Sequence, residues 1–192
     1  GRWGAWQQAV GKPIRDIARD FTEQPGIPLI TVESATCKGG KTTLQLSQGE
    51  FTKDRPGKAP LRWKVPVVAQ VAGGARVDTV VDGGKGTLEV PGCGAVVVNA
   101  GQAGYYRTLY GAQQFAALGK DFAKLDAIDQ LGIMNDTWAL GMAGLRPASD
   151  YLDLAKRVPA DADPAIWADI AGSLGSINAY LKGNDTAQQR FQ

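Results

Sequence analysis

The sequence predicts a β-then-α fold: a β-sandwich of about seven strands, preceded by a helix and followed by an antiparallel α-helical array. Three observations carry this. Apolar residues recur at helical spacing up to about residue 24, alternate with a period of two from Leu29 to about Tyr110, and return to helical spacing after Gly111. Glycine-rich turns cut the middle stretch into short runs, as the strands of a sandwich require.

The leading helix rests on Ile14, Ile17, Ala18 and Phe21, with Pro13 where a first helical turn tolerates proline. Trp3, Trp6 and Val10 form an earlier apolar stripe, closed by Gly11 in a C-cap-like position. Gln24-Pro25-Gly26 ends the helix. Strands follow over 29–33, 43–51, 61–71, 77–81, 86–90, 95–99 and 105–110, and Pro66 points to an edge position or a bulge in the third.

Past the strands, Phe115, Leu118, Phe122 and Leu125 make one helical stripe. Ile128, Leu131, Trp138 and Met142 make a second. Ser149 has the chemistry of an N-cap for a helix carrying Tyr151, Leu154, Ala155 and Val158. Asp163-Pro164 opens another, with Ile166, Trp167, Ile170, Leu174 and Ile177 along it. The final stretch, 185–192, reads as the opening turn of a helix that does not develop, so the helical array is expected to be cut short.

Composition excludes more than it selects. The chain has 192 residues, 44% hydrophobic and 21% charged, enough for one large or two small folded units and unlike a disordered segment. A net charge of +2, from 21 basic and 19 acidic side chains, gives no footprint for nucleic acid or an anionic membrane. No apolar run of about 18 residues spans a bilayer. The start, Gly1-Arg2-Trp3, has neither an initiator Met nor a signal-peptide pattern, so the natural start is expected to be missing or removed.

Histidine is absent, which removes the commonest general base and the commonest zinc ligand together. The two cysteines, Cys37 and Cys93, are too few for a zinc site or a disulfide scaffold. One bridge between them is compatible with the sequence, which leaves the redox compartment open.

Ala35-Thr36-Cys37-Lys38-Gly39-Gly40-Lys41-Thr42 is close to a phosphate-binding loop, with alanine in place of the first glycine. Such a loop needs a helix directly after Lys-Thr to hold phosphate. Here Leu44 and Leu46 alternate with Gln45 and Ser47, so the segment is read as a hairpin turn. Asp126 with Asp129, and Asp150 with Asp153, sit at helical spacing and are read as solvated surface or first-turn charges. Arg107, among tyrosines, is read as structural, stacked on rings and hydrogen-bonded to a turn, rather than as a binding patch.

The segment Asn99-Ala100-Gly101-Gln102-Ala103-Gly104-Tyr105-Tyr106-Arg107-Thr108-Leu109-Tyr110 resembles the Asn-x-Gly-Gln-x-Gly-Tyr-Tyr-Arg-x-x-Tyr stretch of the zinc-dependent aminopeptidases related to aminopeptidase N and puromycin-sensitive aminopeptidase. The resemblance extends over nearly the whole chain. Gly11-Lys12-Pro13-Ile14 and 21–30 are similar to the family's passage from catalytic domain to sandwich. Gln48-Gly49-Glu50-Phe51 resembles its Gln-x-Arg-Phe, with Glu50 departing, and Trp63-Lys64-Val65-Pro66 its Trp-x-x-Pro. The segment 129–140 resembles its Asp-Arg-x-x-x-x-Asn-Asp-x-x-x-Leu helix, with Gln130 replacing arginine.

The resemblance implies a division into 1–24, the helical tail of a preceding catalytic domain; 25–110, the sandwich; and 111–192, the start of a C-terminal helical domain. The family's His-Glu-x-x-His zinc helix, downstream glutamate ligand and Gly-x-Met-Glu-Asn motif belong to that preceding domain and do not occur here. The implied function is that of a non-catalytic spacer and lid scaffold in a soluble, cytoplasmic or periplasmic aminopeptidase. Zinc and peptide substrates would belong to the parent, and no catalytic, cofactor-binding or metal-binding residue falls on this chain. Its partners would be the missing catalytic domain and the rest of the helical domain. The alternative is an independent protein-binding module of sandwich plus helices. A fragment should leave Trp3, Trp6, Ile14, Phe21 and Phe191 exposed for absent neighbours.

Overall fold

A computed structural model describes residues 11–52 and 59–191. Helix α1 (Ile14–Glu23) precedes seven strands: β1 (Ile27–Lys38), β2 (Lys41–Phe51), β3 (Val65–Val71), β4 (Arg76–Val81), β5 (Lys85–Pro91), β6 (Val96–Val98) and β7 (Arg107–Tyr110). Helices α2 (Ala112–Asp121), α3 (Ala127–Met142), α4 (Ser149–Ala155), α5 (Pro164–Tyr180) and α6 (Asp185–Phe191) follow, with a 3-10 turn at Phe122–Lys124. The expected order of helix, strands and helices is the order found. The stripe of Trp3, Trp6 and Val10 lies outside the described residues.

The strands form a four-stranded sheet, β5-β2-β1-β7, and a three-stranded sheet, β4-β3-β6. The pairs are antiparallel except β1 with β7, which run parallel. Their period of two shows directly in β3, where Val65, Val67, Ala69 and Val71 are buried and the residues between are not. These meet Ile30, Val32, Leu44, Leu46, Leu88 and Val90 of the other sheet in one core. That core continues into the helices through Tyr106, Tyr110, Leu118, Phe122 and Ile133. Leu29 and Ile30 are both buried because β1 is covered on both faces at this end. Ile30 faces the sandwich core, while Leu29 joins Phe51, Ala139 and Leu140 in a second cluster contributed partly by α3.

Strand lengths differ from the sequence pattern for identifiable reasons. β1 runs well past Glu33 because its polar continuation, 34–38, pairs residue by residue with β2, although it carries no apolar alternation. β3 starts only at Val65. The Leu61, Trp63 and Lys64 N–H groups donate to the side chains of Glu50, Gln48 and Asp20 at 3.0, 3.0 and 2.8 Å instead of to a strand. β6 stops at Val98 because Asn99 has φ +67. Pro66 lies in the central strand of its sheet, yet β6 pairs only with Ala69–Val71. At Pro66, β3 therefore has β4 alone as a neighbour, which is locally the expected edge.

Two helix ends correct the sequence reading. Ser149 is not the N-cap of α4: Ala148 takes that place with φ −61 and ψ −26, already helical, so Ser149 lies inside the first turn and makes no cap bond. The stretch from residue 185 does form a helix, α6, in which the Asn184 side chain accepts the Ala187 N–H at 3.1 Å. Asp163 behaves as expected, accepting the Ala165 N–H at 2.8 Å ahead of Pro164. Pro13 is the residue just before α1, and its carbonyl accepts the Ile17 N–H at 3.0 Å.

Of the stripe expected to face absent neighbours, Ile14, Phe21 and Phe191 are half-buried, and Phe21 meets the Tyr105 ring edge-on at 6.4 Å. The larger exposed apolar side chains are instead Tyr105, Ile128, Met142, Trp167 and Tyr180. No helix among the described residues is long and apolar enough to cross a membrane.

Candidate functional site at the joint between sandwich and helices

The loop from Asn99 to Tyr106 links β6 to β7 and sets where the helices begin. Asn99, Gly101 and Gln102 all have positive φ, at 67°, 79° and 55°. The Asn99 side chain locks this bend: its Oδ1 accepts the Gly104 N–H at 2.9 Å and its Nδ2 donates to the Gly104 carbonyl at 3.0 Å. Gln102 folds back, donating from its backbone and from Nε2 to the Asn99 carbonyl at 2.8 and 3.0 Å. Gly104 is required by contact, since a Cβ there would lie 2.3 Å from the Tyr106 ring.

Helix α3 docks on this loop with buried carboxylates. Asp129 Oδ1 accepts the Gly101 N–H at 2.7 Å. One turn and more further on, Asp136 accepts from Arg107 Nη1 at 3.0 Å and from the Thr108 N–H at 2.9 Å. Gly132 lies between the two, and a Cβ there would reach within 2.0 Å of the Gln102 amide. The helix can approach so closely because that position has no side chain. Gln130 is also buried, donating to the Phe122 carbonyl at 2.7 Å, so a neutral amide serves where an arginine would need a counter-charge. Tyr110 closes the far side: its hydroxyl accepts the Val98 N–H at 2.8 Å and donates to the Val98 carbonyl at 3.2 Å. Burial pushes the Tyr106 and Tyr110 hydroxyls well above the usual tyrosine range.

Burial also pushes the Asp136 carboxyl up to about 6, against the pull of the Arg107 and Thr108 hydrogen bonds. The ordinary value for an aspartate is 3.8, so between the two the folded chain holds a proton that the unfolded chain has released. This group's stabilisation is therefore full below about pH 4 and lost as pH rises through about 6, a swing on the order of 3 kcal/mol. Asp136→Asn cannot titrate. Urea denaturation from pH 4 to 7 should show the variant gaining on the parent chain by that amount; a pH-independent difference would refute the assignment.

The other sequence candidates disperse. Asp126 is exposed and 4.0 Å from Arg76; Asp129 lies in the first turn of α3, one of the two expected placements, but is buried rather than solvated. Asp150 accepts from Arg146 Nε and Nη2 at 2.9 and 2.7 Å, while Asp153 is exposed and pairs with Lys156 at 3.2 Å. Arg146 lies 3.7 Å above the Phe115 ring and donates to the Tyr110 carbonyl at 2.7 Å. Sequence reading missed this pin, although Arg and Asp at i and i+4 were its available signal. Arg107 is structural as expected, but its partner is the carboxylate of α3 rather than a turn, with the Phe51 ring 5.9 Å away.

In the phosphate-loop lookalike, Gly39 and Gly40 have φ +59 and +75, the requirement of a tight two-residue hairpin between Lys38 and Lys41. Lys41 is 3.8 Å from Glu89, and the buried Thr42 hydroxyl donates to the Gly92 carbonyl at 2.8 Å. The Thr42 hydroxyl is committed to the fold, Lys41 stays largely exposed, and a strand follows in place of a phosphate-holding helix.

A cavity of about 250 Å³ opens beside the joint, lined by Ile27, Gln102, Tyr105, Arg107, Asn135 and Asp136 among others. It offers amides, two tyrosines and the Arg107–Asp136 pair, and its lining holds no histidine, serine or cysteine. Among the described residues no three His, Cys, Asp or Glu side chains converge on a metal position. With no histidine in the chain and both cysteines bonded to each other, the donor set does not fit a His-Glu-x-x-His zinc.

The fold is thus a β-sandwich pinned at one joint to a set of helices. The chain belongs to the ERAP1-like C-terminal domain family, which it matches over residues 95–192. It is 26% identical over 188 residues to tricorn protease-interacting factor F2 of Thermoplasma acidophilum, covering 98% of this chain and 22% of that protein. To aminopeptidase 2 of Candida albicans it is 26% identical over 194 residues, with 98% and 21% covered. To the puromycin-sensitive aminopeptidase of Caenorhabditis elegans it is 25% identical over 190 residues, with 94% and 20% covered. The chain thus spans about a fifth of the length of these relatives. The aminopeptidase resemblance of its motifs therefore holds across most of the chain.

Proposed function

We propose that this chain is a non-catalytic part of a zinc aminopeptidase, a spacer and lid scaffold that carries the helical domain over the active site of a catalytic domain preceding it. Residues 1–24 are then the tail of that domain, 25–110 the sandwich, and 111–192 the start of the helical domain. The observation that carries this reading is the joint, where Asp129 and Asp136 of one helix are held against the loop and strand that end the sandwich. The Asp129 and Asp136 carboxylates are buried and accept backbone N–H groups across the joint, which favours a single arrangement over a hinge.

The opposite end supports the same role. α1 is tied to the sandwich by Lys12 to Asp78, by Asp20 accepting the Lys64 N–H, and by Gln24 donating to the Arg62 carbonyl at 2.9 Å. Whatever precedes α1 is thereby coupled to the helices through one continuous core. Zinc, and the peptides it would hydrolyse, belong in this reading to the preceding domain.

A second reading, a free-standing protein-binding module, draws on Trp167 and Tyr180, which stand exposed on α5. The test is direct. The purified chain, incubated with zinc and an N-terminal alanine anilide, is expected to release no alanine above the blank. Zinc-dependent release by clean protein would overturn the proposal. Under the second reading the chain alone should capture a partner protein at stoichiometric ratio, which a scaffold fragment does not require.

A further inference from the structure

We propose that the Cys37–Cys93 bridge is a structural crosslink installed in an oxidising compartment, and that the far end of the sandwich depends on it. These are the chain's only cysteines, and they are bonded to each other, so no free thiol remains. The bridge joins the last turn of β1 to the loop between β5 and β6, 56 residues away in sequence. Both residues are exposed. An exposed pair with Cα atoms 5.5 Å apart would be kept as two thiols by the reductants of a cytosol, whereas an oxidising compartment closes it.

Its position gives it a purpose. Cys37 lies ten residues along β1 from Ile27, roughly 33 Å from the end where α1 and the helices attach. At that end the Gly92 N–H donates to the Gly40 carbonyl at 2.8 Å and the Thr42 hydroxyl donates to the Gly92 carbonyl at 2.8 Å. These hydrogen bonds also join the two segments, so the crosslink fits the fold it closes. The loop it closes contains β2, β3, β4 and β5, two strands of each sheet. Spacing argues against a redox-catalytic pair, which takes two cysteines in a Cys-x-x-Cys.

Formation is a thiol–disulfide exchange with a disulfide-carrying oxidoreductase. The two thiols lose two protons and two electrons and form one S–S bond. The oxidant's own S–S bond takes up those electrons and protons and breaks to two thiols.

The test uses the full-length protein in its own cells, lysed into acid and a thiol-alkylating maleimide, then peptide mapping without reductant. The expected result is one crosslinked peptide carrying Cys37 and Cys93 and no alkylation of either. Quantitative alkylation of both overturns the proposal. The second arm compares the oxidised chain with Cys37→Ser/Cys93→Ser in urea. A closed loop of this length predicts an unfolding constant on the order of 10³-fold larger in the variant. A variant too unstable to fold exceeds that figure and supports the proposal; a constant within threefold of the oxidised chain overturns it.

Discussion

Trp63→Ala is expected to destabilise the chain by about 4 kcal/mol, read as the free energy of unfolding in urea. Trp63 is 1% exposed and is the largest fully buried side chain of the core. Its ring lies 3.5 Å from where a Cβ on Gly26 would stand, against the turn at which α1 gives way to β1. Alanine would leave a cavity that strands fixed by hydrogen bonds on both sides cannot collapse to fill. Trp63→Phe separates ring burial from polarity. The indole Nε1 meets no acceptor among the described residues, so phenylalanine loses some area but removes a buried unsatisfied donor. It should lose less than half of what alanine loses. Equal losses for the two variants would show that the corner does not depend on the ring.

Asp129→Ala should cost about 2 kcal/mol, from a charge-assisted hydrogen bond and the half-buried Gly101 N–H it leaves without that acceptor. Asp129→Asn keeps an oxygen in place and should lose about 1 kcal/mol. The loss is local to the joint, and amide exchange of Gly101 should accelerate more than that of the sandwich strands. An exchange rate at Gly101 unchanged in the alanine variant would remove Asp129 from the joint. In the full-length enzyme, the proposed scaffold role predicts that this variant alters KM for long peptides more than for a dipeptide.

Much of the fold was legible because burial on one face imposes a period. Val65, Val67, Ala69 and Val71 announce a strand, and Asp163-Pro164 announces a helix start, from neighbours in sequence alone. The places where the pattern misled are those where the deciding partner is distant. The polar end of β1 is a strand only because β2 pairs with it, and 61–64 is not a strand because three side chains take its N–H groups. Ser149 had the right chemistry for a cap but the wrong backbone, set by the preceding Ala148.

The joint shows the same division. Its motif residues, from Asn99 to Tyr110, are visible as a glycine turn flanked by aromatics, and the absence of histidine already rules out a zinc site of the aminopeptidase type. Those conclusions depend only on which residues exist and how they are spaced. That Asp129 is a buried acceptor while Asp126, three residues earlier, is in solvent depends on where α3 lies against the loop. That Cys37 and Cys93 meet depends on how a hairpin tip and a distant loop are brought to one end of the sandwich. Composition and period are properties of the chain; burial and pairing over 28 or 56 residues are properties of its packing, and only the folded molecule assigns them.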